Sequence, residues 1–269
     1  MKRRAGVLAG ALTGAFALAG GVVEARPLRV MALDQCADQY VLALRPDAEL
    51  ALSPRADDPD AWMRGAAAGR RRVRPTLEAA IAFRPDVVVR YWGGEPRLLA
   101  RLEASGLQVV TITDANTFSG IERNIRTVSR KLGVPERGEA LAARMADTLR
   151  QAAPEPAAPR PKALYLTAGG FTAGKGTLLD AILGAAGFTN AAAGPGFAPV
   201  SVERIALYPP AMFVLGFFDQ VRADWRGPGR HPVVQGAARG RVVARLPAAA
   251  LTCPAWFAAD ATVLLKTRR

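Results

Sequence analysis

The sequence predicts an α/β protein of two lobes, each built on a central, mostly parallel sheet and joined by a long backbone helix. Three observations carry this. Short runs rich in Val, Leu and Ile alternate with helical stretches of about ten residues, as βα units do. A helical pattern occupies the middle of the chain, from Ile121 to Ala152. Strand–helix alternation then restarts beyond a Pro-rich connector, Pro154 to Pro161. At 269 residues, 50% hydrophobic and 22% charged, the chain has enough apolar material for two cores.

The elements follow in order. Leu28 to Leu33 has strand length, and Asp34 is placed to cap a helix from Cys36 to Leu44 that ends at Arg45-Pro46. Glu49 to Ser53 reads as a second strand, and Pro54 to Pro59 as a loop. Thr76 caps a helix over Leu77 to Phe83, closed by Arg84-Pro85. Asp86 to Tyr91 sets Val87, Val88 and Val89 in series, which marks a strand buried on both faces. Trp92-Gly93-Gly94 breaks it, Pro96 to Ser105 is helical, and Gln108 to Thr113 is the next strand.

Ile121, Ile125, Val128 and Leu132 share one helical face, and after Gly133-Val134-Pro135 a second helix runs from Glu136 to Ala152. In the second half, Ala163 to Thr167, Ala211 to Gly216 and Val242 to Leu246 are strands. Leu178 to Ala186 is helical, and a final helix is expected from near Pro254.

Residues 1–25 read as a cleavable signal peptide. Met1 to Arg4 is a basic start, Ala5 to Val23 is an uncharged run, and Val23-Glu24-Ala25 offers small residues for cleavage after Ala25. Export to the periplasm is expected, with no membrane span in the mature chain. The net charge of +13 becomes +11 once Lys2, Arg3, Arg4 and Glu24 are removed. Of the 36 basic residues 31 are Arg, scattered except for Arg70, Arg71, Arg72 and Arg74; with the wealth of Ala and Gly this reflects GC-rich coding. No stripe of Arg interleaved with aromatics occurs, so nucleic acid is not an expected partner. One His and two Cys exclude the usual four-ligand zinc site.

Gly169 to Gly176 comes close to a phosphate-binding loop, but Gly176 stands where Ser or Thr must follow the Lys. A Gly-rich strand-to-helix turn lining a ligand cleft fits better. Cys36 and Cys253 fall one in each lobe, and three readings stay open: a disulfide clamping the lobes, free thiols beside a ligand, or inert core residues. Tyr91 and Trp92 end a strand, Trp62 lies in a loop, and Trp256-Phe257 follow Cys253-Pro254. Aromatics so placed suit the walls of a cleft that stacks on a large flat ligand. Arg55, in the loop after the second strand, is placed to meet an anionic group. His231 has no motif partner, and neither Gly-x-Ser-x-Gly nor His-Glu-x-x-His occurs. The chain therefore reads as a binding protein rather than an enzyme, with no resident cofactor and no metal site of its own. The rival reading is a periplasmic thiol-dependent enzyme or chelatase that handles a metal or cofactor through Cys36 and Cys253.

In their order, these features resemble the periplasmic substrate-binding proteins of metal-chelate ABC importers, which bind cobalamin, ferric siderophores or haem; the cobalamin-binding members are nearest in pattern. The resemblance covers nearly all of the chain after residue 25. It rests on Leu33-Asp-Gln-Cys-Ala-Asp-Gln-Tyr40, on Thr76-Leu-Glu78 through Phe83-Arg-Pro85-Asp86, on Tyr91-Trp-Gly-Gly94, on Phe171 to Thr177, and on Val200-Ser201-Val-Glu203 through Tyr208-Pro209. It implies a helical-backbone periplasmic binding protein with an N-terminal lobe over 26–132, a linking helix and connector over 133–158, and a C-terminal lobe over 159–269. The implied ligand is a metal chelate held between the lobes, beside Tyr91, Trp92, Trp256 and the loop around Arg55. Glu78 and Glu203 match the carboxylates with which the family docks on the arginines of its membrane permease. A monomer that closes only slightly on its ligand is implied as well. The family's cysteine pairing within the second lobe is not matched, because Cys36 lies in the first.

Overall fold

In the computed structural model, which describes residues 26–220, 224 and 226–266, the chain forms two α/β lobes. The predicted signal peptide lies outside the described residues. The first lobe runs β1 (Arg29–Ala32), α1 (Gln35–Leu44), β2 (Glu49–Leu52), α2 (Arg64–Ala67), β3 (Arg71–Arg72), α3 (Leu77–Phe83), β4 (Val87–Arg90), α4 (Pro96–Ala104) and β5 (Gln108–Thr111). Its five strands are parallel in the order β3-β2-β1-β4-β5. Two helices follow, α5 (Phe118–Lys131) and α6 (Pro135–Ala152).

The second lobe contains β6 (Lys162–Thr167), β7 (Phe171–Ala173), α7 (Leu178–Ala185), β8 (Thr189–Asn190), β9 (Phe197–Pro199), α8 (Val202–Leu207), β10 (Met212–Gly216), α9 (Pro232–Ala238), β11 (Val242–Leu246), α10 (Ala248–Leu251) and α11 (Ala258–Lys266). Its main sheet is parallel, ordered β11-β10-β6-β8, and β7 pairs antiparallel with β9 as a separate arm. The expected Gly-rich turn is therefore corrected: its centre is strand β7, and Gly174 N–H donates to the Gly196 carbonyl at 2.7 Å. The last helix begins at Ala258, later than expected, because residues 253–257 turn back against the first lobe.

Side-chain oxygens of Asp34, Thr76, Thr117, Thr177 and Ser201 each accept a backbone N–H at the start of a helix. The strands then sort their residues by alternation. Val30 and Ala32 of β1, with Ala163 and Tyr165 of β6, face a single core that runs through both lobes to Leu265. Met31 and Leu33 face a separate outer layer with Phe83 and Leu98, while Leu164 and Leu166 face another with Ile205 and Val234. The inner helical layers of the lobes are thus fused.

The strut α6 has 18 residues, or about 27 Å of helix. Near its start Arg137 donates to the Leu44 carbonyl at 3.1 Å and pairs with Asp47 in the first lobe. Near its end the Gln151 carbonyl accepts from Lys266 Nζ of α11 at 2.6 Å. Gly138 lets α6 approach α5, since a Cβ there would overlap the Ser129 side chain. Among the described residues no helix is long and apolar enough to cross a membrane, and no group of three metal-ligating side chains occurs.

Candidate functional site between the lobes

Strand order in the first sheet reverses between β1 and β4, and a crevice opens beyond the carboxyl ends of strands at such a point. Asp34 leaves β1 there, and Tyr91, Trp92 and Gly93 leave β4. Asp34 organises the corner. One carboxylate oxygen accepts Ala37 N–H at 2.9 Å, and the other accepts Tyr91 N–H at 2.6 Å and Gly93 N–H at 2.8 Å. A Cβ at Gly93 would strike the Leu33 carbonyl, and Gly94 has φ +89°, so both positions favour glycine.

The pinned loop presents two rings. Tyr91 and Trp92 meet edge to face with centroids 5.6 Å apart, and Trp92 is 71% exposed. The Tyr91 hydroxyl donates to Asp114, which follows β5. Burial, with the Asp114 carboxylate second, pushes the Tyr91 hydroxyl up to about 12, so it is a neutral phenol at physiological pH.

These rings divide the crevice into two compartments that share Thr252. One, of about 450 Å³, is bounded by Asp34, Ser53, Arg55 and Pro75. The other, of about 360 Å³, is bounded by Asp114, Asn116, Leu178, Leu179, Phe197 and Leu251. Phe197, from the β9 arm, is 69% exposed and faces the same space as Trp92. A recess of about 470 Å³ lies elsewhere, within the second lobe between the β7–β9 arm and α8. It is lined by one lobe alone, whereas the crevice draws residues from both, so the inter-lobe crevice is the better candidate.

Tyr91 and Trp92 therefore line both compartments, and Arg55 lines the first. Arg55 is already engaged, with Nε 2.8 Å from Asp58 and Nη2 3.8 Å from Asp60. One open reading is decided and one expectation is corrected. Of the three cysteine readings the disulfide holds: Cys36 and Cys253 are joined across the lobes, so neither offers a thiolate to a ligand or to thiol chemistry, while both residues border the compartments. Trp256 is drawn away from the crevice because the disulfide anchors its segment on α1. It packs edge-on against Tyr40 at 5.6 Å, while Trp62 stacks on Phe257 at 5.1 Å. The buried Tyr40 hydroxyl donates to the Pro254 carbonyl at 2.8 Å, and Gln220 of the second lobe donates to Asp60 of the first at 2.7 Å. These contacts make a closed seam beside the crevice.

Sequence reasoning missed Asp114, Asn116, Phe197 and Thr252 as crevice residues. The signal for Asp114 was its place just past a predicted strand, at the ligand-facing end of a parallel sheet. Phe197 stands alone in a Gly-rich stretch and carries no comparable signal.

Fold and crevice together define a bilobal binding protein whose lobes are braced by a helix. The family model described as "Periplasmic binding protein" matches residues 54–250, and the chain belongs to that family, whose members are binding proteins. A curated relative, the "Cobalamin-binding protein" of Halobacterium salinarum, is 27% identical over 203 residues, 72% of this chain. The chain spans 55% of the length of that relative. Among solved structures, the periplasmic heme-binding protein RhuT from Roseiflexus sp. RS-1 superposes with a TM-score of 0.67 at 22% identity, covering 90% of this chain and 99% of that one. The periplasmic vitamin B12 binding protein BtuF of Vibrio cholerae gives 0.63 at 21% identity, covering 90% and 96%. At these identities the two structures establish the fold.

Proposed function

We propose that the protein is the solute-binding component of an ABC importer, which captures a metal chelate of the cobalamin, ferric-siderophore or haem type between its lobes and passes it to a membrane permease. The observation that carries this is the crevice itself, two adjoining compartments walled by Tyr91, Trp92 and Phe197 at the strand-order reversal. Exposed rings on a rigid corner suit a flat ligand that is bound by stacking and shape. The protein works in the periplasm after cleavage following Ala25, as a monomer with lobes over 26–132 and 159–269 and a strut over 133–158. It performs no chemistry and keeps no resident cofactor; the chelate is cargo. The names of the relatives support this ligand class, and the disulfide leaves the thiol-enzyme rival without its nucleophiles.

Glu78 and Glu203 are the docking carboxylates. Each is exposed in the first turn of a short helix whose cap is a hydroxyl, Thr76 for α3 and Ser201 for α8. The Glu78 backbone N–H and Thr76 hold the Glu78 carboxyl below its ordinary range, and Ser201, donating at 2.6 Å, does the same for Glu203. Both stay ionised, ready to orient the protein on permease arginines. Tryptophan-fluorescence titration with cyanocobalamin, haemin and a ferric hydroxamate tests the ligand class: saturable quenching by one of them supports it, and no response from folded protein contradicts it. Unchanged chelate uptake by cells carrying Glu78→Ala with Glu203→Ala would count against the docking role.

A further inference from the structure

The charges that face the crevice narrow the ligand. Resting on the chelate reading above, we propose that the crevice selects chelates rimmed by neutral amides over those rimmed by carboxylates, and that Asp114 sets this preference.

Asp114 is exposed, borders the second compartment beside Asn116, and has as its hydrogen-bond partner the Tyr91 hydroxyl. That phenol is neutral, so it orients the carboxylate without cancelling its charge. The remaining walls of this compartment include Leu178, Leu179, Phe197 and Leu251, which neither supply nor neutralise charge. In the first compartment the cation is Arg55, and it stands between Asp58 and Asp60. Asp34 adds a further carboxylate at the corner. Among the described residues lining the crevice, acidic groups thus outnumber basic ones.

The whole-chain charge of +13 points the other way, but of the described basic residues Arg55 alone lines the crevice. Surface charges are screened over about 8–10 Å at ordinary ionic strength, whereas charges inside a partly desolvated cleft act directly on the ligand. A rim carboxylate laid beside Asp114 would be desolvated against a like charge, with no arginine or lysine among the described residues lining that compartment to receive it. A rim amide would instead donate a charge-assisted hydrogen bond to Asp114 and find further partners in Asn116 and Thr252.

Equilibrium dialysis of the purified protein against cyanocobalamin, which is amide-rimmed, and haemin, which carries two carboxylates, tests this through the ratio of the two affinities. Wild type is expected to favour cyanocobalamin. Asp114→Asn, which still accepts from Tyr91, should shift the ratio toward haemin by about tenfold, equivalent to about 1.4 kcal/mol. Asn116→Asp should shift it the opposite way. Circular dichroism checks that each variant is folded. Preference of wild type for haemin, or a ratio unchanged in Asp114→Asn, overturns the proposal while leaving the chelate reading intact. Retention of neither compound overturns it too, and a ferric hydroxamate dialysed in parallel then decides whether the chelate reading survives.

Discussion

Between Leu33 and Tyr40 nearly every polar side chain ties down a different segment of the first lobe. Asp34 ties down the Tyr91–Gly93 corner, Gln35 donates to Asp60 at 2.9 Å, and Gln39 accepts Met63 N–H at 2.6 Å. Asp38 is fully buried and accepts both the N–H and the hydroxyl of Ser53, at 2.9 and 2.6 Å. The segment stood out in the sequence, but its partners lie 15 or more residues away, so the individual roles were not legible. Burial raises the Asp38 carboxyl to about 7. Its unfolded value is about 3.9, so between about pH 4 and 7 the unfolded chain releases a proton that the fold retains, and stability falls as pH rises through that window. Asp86 and Asp47, held low chiefly by hydrogen bonds from Arg26 and Arg137, act oppositely: they stabilise above the ordinary carboxylate range and lose that contribution as acid protonates them. Asp38→Asn should therefore flatten the decline of the urea midpoint between pH 4 and 7; an unaltered slope would refute the assignment. Trp92→Ala should weaken chelate binding by about tenfold, as expected for loss of one stacked ring, and calorimetry would show it.

Elements of four or more residues with a clear apolar period were legible, and most ends fall within one or two residues; β11 occupies Val242–Leu246 as read. Strands β3, β7, β8 and β9 were not, because two or three residues carry no period and pairing alone makes them strands; nor were helices α2, α9 and α10, whose four to seven residues, rich in Ala and Gly, show no apolar period. Neither could the sequence choose among the three states of its cysteines, which depends on how the lobes face one another. The disulfide closes a separation of 217 residues, and a loop of that length costs an open chain about 5 kcal/mol, although measured effects are commonly about 2–4 kcal/mol. Cys36→Ser with Cys253→Ser should lose stability in that measured range in chemical denaturation. At the α5–α6 contact, Gly138→Val should cost about 1–3 kcal/mol, since its side chain must displace Ser129; a neutral result would contradict the tight approach.

At the scale of the molecule, the lobes share one core, a covalent bridge, an aromatic seam and a braced strut. A clamp of this kind would hinder a binding protein that worked by wide hinge opening. It does not hinder one whose crevice is already formed, so binding should change the radius of gyration by less than about 1 Å in solution scattering. The two-lobe plan and the placement of Tyr91 and Trp92 at the cleft were legible because strand ends in parallel sheets converge on one crevice. Trp256 was misplaced for the complementary reason: a ring in a loop reads the same whether it faces ligand or a neighbouring lobe. Asp114 needed the Tyr91 hydroxyl beside it to become meaningful. The central claim is that the chelate sits at the strand-order reversal between the lobes. Hydrogen-exchange mass spectrometry, with and without whichever of cyanocobalamin, haemin or a ferric hydroxamate saturates the protein, tests it most directly. Protection over residues 91–94, 114–116, 178–179 and 251–253 is the predicted result; protection confined to the second-lobe recess around Thr172 and Arg204 would contradict it.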